Sequence, residues 1–198
     1  MVAIYLIRHG DYIEGKATAK RTSLIEHLKK TDGPLSALGR AQGRALGQAL
    51  ELELAGKSVA FWSSSLLRAQ QTSAELLSYL SINPALVDYQ CALWECLPTR
   101  PVAISPVLDL IETRDFEVSR QRANKTWRAI CEFVQTKSTT LVVVCHGNII
   151  KQFVSELLSA SPQSWQFIDI DHCGLTKVSL EQDQLYIKYI NRVFAPKT

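Results

Sequence analysis

The sequence predicts an α/β protein: a three-layer αβα sandwich whose central sheet is mainly parallel and carries an antiparallel edge strand. Two observations predict it. Short, nearly unbroken apolar runs at residues 3–7, 59–64 and 140–145 alternate with stretches of helical periodicity. Strands that are apolar on both faces belong to a sheet covered on both sides. Residues 174–191 then alternate in the manner of a hairpin, with a turn near Glu181–Asp183, and supply the antiparallel edge.

The elements follow in chain order. Residues 3–7 form the first strand. Residues 24–30, LIEHLKK, form a short helix ended by the turn signal Asp32-Gly33-Pro34. A long helix follows with Ser36 as N-cap, and Leu38, Ala41, Ala45, Leu46 and Ala49 recur at helical spacing. Gly39, Gly43 and Gly47 weaken it by about 1 kcal/mol each relative to alanine, but line one face and suit close packing onto the sheet. The second strand, 59–64, leads into a helix over 66–80 that Ile82-Asn83-Pro84 breaks. Residues 85–89 give a third strand. Residues 90–114 carry three prolines and read as a long surface loop. Residues 116–135 form a helix, 140–148 contain the most apolar strand, and 149–158 form another helix. No repeat, linker or low-complexity tract interrupts the 198 residues, so a single domain over 1–198 is expected.

Composition excludes several classes. Hydrophobic residues make up 46% and charged residues 21%, an ordinary globular balance. A net charge of +3 suits anionic substrates but is too small to argue for nucleic acid. No apolar run approaches the roughly 20 residues that span a bilayer, and the N-terminus lacks signal-peptide features. The five cysteines have no zinc-type spacing and read as reduced thiols. The expectation is a cytoplasmic protein with no membrane or nucleic-acid partner; a homodimer is left open.

In a parallel sheet, ligands bind beyond the carboxyl ends of the strands. The first strand ends in Arg8-His9-Gly10. The second ends in Ser63-Ser64-Ser65, with Arg68 a turn into the next helix. The 140–145 strand ends in His146-Gly147-Asn148. Three strand ends thus deliver two arginines and two histidines to one rim. A tetrahedral oxyanion, most naturally a phosphoryl group, matches this set. Helix N-termini near Ser65 and Gly147 would add backbone N–H groups. A neutral imidazole there can also attack phosphorus.

These segments, with "SSLLRAQQTS" at 64–73, "CHGN" at 145–148 and "LSALGRAQGRALG" at 35–47, resemble the histidine phosphatase superfamily in its phosphoglycerate-mutase-like branch. The similarity spans almost the whole chain. It implies a metal-independent phosphatase without cofactor, acting on a phosphoprotein or small phosphomonoester and releasing inorganic phosphate. It matches His9 to the phosphorylated nucleophile; Arg8, Arg68 and His146 to the phosphate pocket; Gly147 to a position whose backbone N–H can face the phosphate; and Gly10 to substrate binding. Glu95, in the loop "CALWECLPTRP", matches the general acid, with Asp11 as its rival. The mutase branch carries a large insertion between the acid and the second histidine. It also carries an asparagine shortly after its Arg-His-Gly-Glu. This chain has neither, which favours a phosphatase. "RHGDYIEG", the Glu95–Pro98 loop, "VCHGNIIKQFV", the Ser161–Trp165 turn and the Gly174-Leu175-Thr176 strand start are most similar to the superfamily's mitochondrial serine/threonine protein phosphatases.

Other residues have blander readings. His172 is expected to cap the strand that follows it, with lining of the pocket as the alternative, His27 to be solvated, and the basic 16–30 segment to be a solvated face or a rim that steers acidic substrates. Trp62, Trp94, Trp127 and Trp165 are assigned to the core, with substrate contact as the alternative for Trp94.

Overall fold

A computed structural model of the chain describes residues 2–15, 23–99 and 113–196. Its order is β1 (Val2–Arg8), α1 (Leu24–Thr31), α2 (Ala37–Leu54), β2 (Val59–Ser64), α3 (Leu67–Leu77), β3 (Val87–Gln90), α4 (Thr113–Lys137), β4 (Thr140–Cys145), α5 (Gly147–Leu157), β5 (Leu175–Glu181) and β6 (Gln184–Arg192). One six-stranded sheet runs β3-β2-β4-β1-β5-β6. The first four strands in that order are mutually parallel; β1–β5 and β5–β6 are antiparallel.

Side-chain alternation along β1 divides the core into two layers. Ile4 and Leu6 point to one face with Leu141 and Val143 of β4, and pack against Trp127 and Ile130 of α4 and Ile150 and Phe153 of α5. Ala3, Tyr5 and Ile7 point to the other with Val142 and Val144, and meet Leu46 and Leu50 of α2 and Leu76 of α3. Because both faces are covered, all six residues of β4 are buried. The predicted αβα sandwich and its antiparallel edge are therefore present.

Two packing expectations are corrected. The glycine face of α2 lies against the segment after β1 and against α3, not against the sheet. A Cβ on Gly39 would stand 1.9 Å from the Asp11 carbonyl oxygen, and one on Gly43 2.9 Å from Glu75 Cβ. The loop after β3 is also not a surface segment where it is described: a 3-10 turn over Cys91–Leu93 continues into buried Cys96, Leu97 and Pro98. The remainder of that loop, 100–112, and the basic residues Lys16, Lys20 and Arg21 lie outside the described residues. His27 is half-buried, not solvated. Trp127 and Trp165 are buried; Trp62 and Trp94 are only partly so.

Register places the strand ends level. Ile7 pairs with Val144 and Ser63 with Val144 in turn, while Arg8 pairs with Cys145. The residues that follow, His9, Ser64 and His146, therefore emerge side by side at one rim.

Candidate active site

His9 is the centre of this rim and is 3% exposed. Its backbone N–H continues the ladder to the Cys145 carbonyl at 2.9 Å. The Nδ1–H donates to the Gly10 carbonyl at 2.8 Å, which fixes the tautomer and leaves the lone pair on Nε2. Arg68 Nε donates to that Nε2 at 3.2 Å. Burial pushes the His9 pKa well below its ordinary 6.5, and the Arg68 charge adds to the shift. The ring is thus neutral at physiological pH. Gly10 is required here: its N–H donates to Thr72 Oγ1 at 3.0 Å, and a Cβ would stand 2.6 Å from the Gly39 carbonyl oxygen.

His146 is fully buried, with its ring centroid 5.1 Å from that of His9. His146 Nε2 shares a hydrogen bond of 2.8 Å with Ser64 Oγ, which also accepts from Leu66 N–H at 3.3 Å. Its Nδ1 is buried and has no hydrogen-bond partner among the described residues. Burial, then the neighbouring His9, lowers the His146 pKa well below 6.5. Arg8 donates through Nη1 to the Ile170 carbonyl at 2.6 Å, and its Nε is likewise buried without a partner among the described residues. Gly147 lies beside it, such that an added Cβ would touch Arg8 Cδ and Nε at 3.4 Å. Two unpartnered buried polar atoms from separate strands, beside a third group with a lone pair, fit a shared anionic ligand.

The carboxylates have other duties than expected. Asp32, read only as part of a turn, accepts from Leu67 N–H at 2.7 Å and from Arg68 Nη1 at 2.8 Å. It therefore caps α3 and orients Arg68 together. Glu95 does the equivalent at α5, accepting from Ile149 N–H at 3.1 Å and Asn148 N–H at 3.3 Å, and from Cys96 N–H at 3.0 Å. The N–H groups expected near Ser65 and Gly147 are thus partly taken up by protein carboxylates, because an acidic side chain at a helix N-terminus satisfies both the orphan donors and the dipole. Burial still pushes the Glu95 pKa above its ordinary 4.5, against the N–H groups of Cys96 and Asn148 and the charges of Arg68 and Arg8. Asp11 accepts from Ser36 Oγ and stands 3.6 Å from His172 Nδ1.

His172 is in the site and does not act as a strand cap. Its Nε2 accepts from Arg8 Nη2 at 2.9 Å, and its ring lies 5.4 Å from His9. Tyr12 was not singled out by the sequence. Its ring stands edge-on to His9 at 5.1 Å, with the Arg68 guanidinium 4.9 Å above it. Its position two residues past a strand-end motif was the available signal. Trp94 donates Nε1–H to Ser65 Oγ at 2.7 Å and packs with Leu24, Leu28, Leu97, Phe116 and Trp165. Among the described residues, no cluster of histidine, cysteine and carboxylate side chains could hold a metal ion, and no helix is long and apolar enough to cross a membrane.

The profile of the histidine phosphatase superfamily (branch 1) matches residues 4–193. The chain belongs to that superfamily. Among its histidine phosphatase relatives, "Serine/threonine-protein phosphatase Pgam5, mitochondrial" of Drosophila willistoni is 29% identical over 192 residues, covering 94% of this chain and 61% of the relative. The protein of that name from Caenorhabditis elegans is 27% identical over 187 residues, covering 89% and 57%. The chain thus spans about three fifths of the length of these curated relatives. Solved histidine phosphatase folds superpose across the whole chain. Phosphoserine phosphatase of Entamoeba histolytica, in complex with 3-phosphoglyceric acid, gives a TM-score of 0.68 at 19% identity, covering 98% of both chains. The alpha-ribazole phosphatase of Shigella flexneri gives 0.67 at 17%, covering 100% of both.

Proposed function

We propose that this histidine phosphatase chain is a phosphomonoesterase that works through a phosphohistidine on His9. The observation that carries this reading is the state of the His9 ring: neutral, its Nδ1–H held by Gly10, its Nε2 lone pair facing Arg68 in the same recess as His146. In the first step Nε2 bonds to phosphorus, the bond from phosphorus to the ester oxygen breaks, and Glu95 gives its proton to that oxygen. Arg68 transfers its hydrogen bond from Nε2 to a phosphoryl oxygen, while Arg8 and the Nδ1–H of His146 hold the others. In the second step water attacks phosphorus, the P–N bond breaks, and the Glu95 carboxylate takes the water's proton. Inorganic phosphate leaves. Catalysis of this kind rests on positioning and on charge placed against the equatorial oxygens.

Glu95 is preferred over Asp11 as the acid because it stands beside the first turn of α5 and burial raises its pKa, which favours the proton-bearing form that an acid needs. Asp11 is engaged with Ser36 and faces His172. The cationic fixed charges, Arg8 and Arg68, support a reaction that needs no metal. The Pgam5 relatives, named serine/threonine-protein phosphatases, support a phosphoprotein substrate. A small phosphomonoester is the second reading, suggested by the fold neighbours named for phosphoserine and alpha-ribazole. Residues 1–198 are proposed to act as one domain around the single sheet. A reducing, cytoplasmic setting is supported by Cys96, Cys145 and Cys173, which are free and buried, although the Pgam5 relatives are named mitochondrial.

Hydrolysis of p-nitrophenyl phosphate, followed by a panel of phosphopeptides, sugar phosphates, glycerate phosphates and nucleotides, tests the reading. The panel also separates the two substrate classes. Turnover that His9→Ala abolishes is expected. No hydrolysis of any monoester would leave only a phosphate-binding module.

A further inference from the structure

The loop that carries Glu95 is held from beneath by one face of α4. Arg122 Nη1 donates to the Ala92 carbonyl and to the Trp94 carbonyl, each at 2.8 Å, and Nη2 donates to the Glu95 carbonyl at 2.7 Å. Thr126 Oγ1 also reaches the Ala92 carbonyl at 3.3 Å, and Ser119 Oγ bonds both the N–H and the carbonyl of Leu97, at 3.1 and 2.8 Å. Positions 119, 122 and 126 share a helix face at the i, i+3, i+7 spacing. A half-buried guanidinium whose three bonds go to the carbonyls of Ala92, Trp94 and Glu95 in one short loop fixes that loop's path. The peptide groups on both sides of Glu95 cannot rotate without breaking a charge-assisted bond. The Glu95 carboxyl, in turn, meets the first turn of α5.

We infer that Arg122 is a positioning residue for Glu95: its planar fork sets the backbone from which the acid reaches the leaving oxygen. This rests on the assignment of Glu95 as general acid made above. Lysine cannot replace it, because a point charge on a flexible stem does not engage three carbonyls in a fixed fork. Displacements of about 1 Å at a proton donor are costly to turnover and leave substrate binding largely unaltered. The proton matters most for poor leaving groups. A serine alkoxide needs it; a nitrophenolate barely does.

The test is steady-state kinetics on phosphoserine and on p-nitrophenyl phosphate for the wild type, Arg122→Lys, Arg122→Gln, Glu95→Gln and the Arg122→Lys/Glu95→Gln double variant, with circular dichroism to check folding. Arg122→Lys should lower kcat for phosphoserine by about tenfold or more, a fraction of the 10²–10⁴-fold that a general acid supplies, and change KM little. Its loss on p-nitrophenyl phosphate should stay below about threefold, and it should add nothing in the Glu95→Gln background, because the two residues act as a unit. Should Arg122→Gln fail to fold, the lysine variant carries the comparison. Equal losses on both substrates, a full further loss in the Glu95→Gln background, or unfolding of both Arg122 variants would assign Arg122 a structural role and overturn the inference. If Glu95→Gln itself loses both activities equally, the acid assignment falls, and the Arg122 inference falls with it. That single variant identifies which has failed.

Discussion

Arg68 Nε lies 3.2 Å from the Nε2 of His9, against the one ring nitrogen that carries a lone pair. The same guanidinium is held on its other side by Asp32. It is 3% exposed at the residue level, so its charge acts in a medium that screens little. Arg68→Ala is expected to lower kcat/KM by at least ~10²-fold, the scale of removing one transition-state charge stabiliser. Arg68→Lys should recover only part of this, since an ammonium cannot face His9, Asp32 and phosphate together. Kinetics on p-nitrophenyl phosphate check both; an alanine variant within about threefold of wild type would remove Arg68 from the phosphate pocket.

Asp32 links that charge to the fold. Replacing it by alanine strips the cap from α3 and leaves the buried Arg68 without its counter-ion. Breaking a buried pair from one side costs about 3–5 kcal/mol, and the expected loss is at the lower end because the Asp32 side chain retains 15% exposure. Urea unfolding measures it, and kcat/KM should fall in the same variant because Arg68 loses its orientation. A variant as stable as wild type would mean that water replaces the carboxylate fully.

Gly39→Ala tests the close approach of α2 to the segment after β1. The new Cβ would meet the Asp11 carbonyl oxygen at 1.9 Å, a backbone atom that cannot swing aside. Helix propensity alone would make the change favourable by about 1 kcal/mol. Overpacking against backbone should reverse the sign and destabilise by about 1–3 kcal/mol, seen as a lower Tm. A raised Tm would show that the segment gives way.

How legible this architecture was in the sequence follows from which forces are local. β1 and β4 read as strands because burial on both faces writes an unbroken apolar run, and Ser36 marked the start of α2 through its hydroxyl, which accepts from Gly39 N–H. Arg8, His9, Arg68 and His146 were recognisable because parallel strands align their carboxyl ends. Asp32 and Arg122 were not, because each reaches the site by tertiary contact from a separate element and no local period announces it. The 91–98 segment misled for a related reason. Pro98 and the prolines at 101 and 106 say loop, and a loop is normally exposed to hydrate its carbonyls. Here Arg122 and Ser119 satisfy them instead, so it can be buried.

The buried neutral histidines should make stability depend on pH. The unfolded chain protonates His9 and His146 near 6.5, whereas the folded chain does so only well below. Between those values the unfolded state binds more protons, so stability is complete above 6.5 and is lost as pH falls. Glu95 acts oppositely: its folded pKa is raised, so its contribution is present below 4.5 and fades as pH rises through the folded value. Urea midpoints from about pH 7.5 down to about pH 5 should therefore decline, and His146→Gln should show a shallower slope. An unchanged slope in that variant would mean that His146 is not held neutral by burial.

The most direct measurement of the central claim is the phosphoenzyme itself. Enzyme mixed rapidly with excess p-nitrophenyl phosphate, quenched into alkaline denaturant and read by intact-mass spectrometry should gain one phosphoryl group. Peptide mapping should place it on His9, and brief acid treatment should remove it, as a phosphoramidate requires. His9→Ala should show neither the adduct nor turnover. Turnover retained by His9→Ala, or a phosphoryl group mapped to any other residue, would contradict the account.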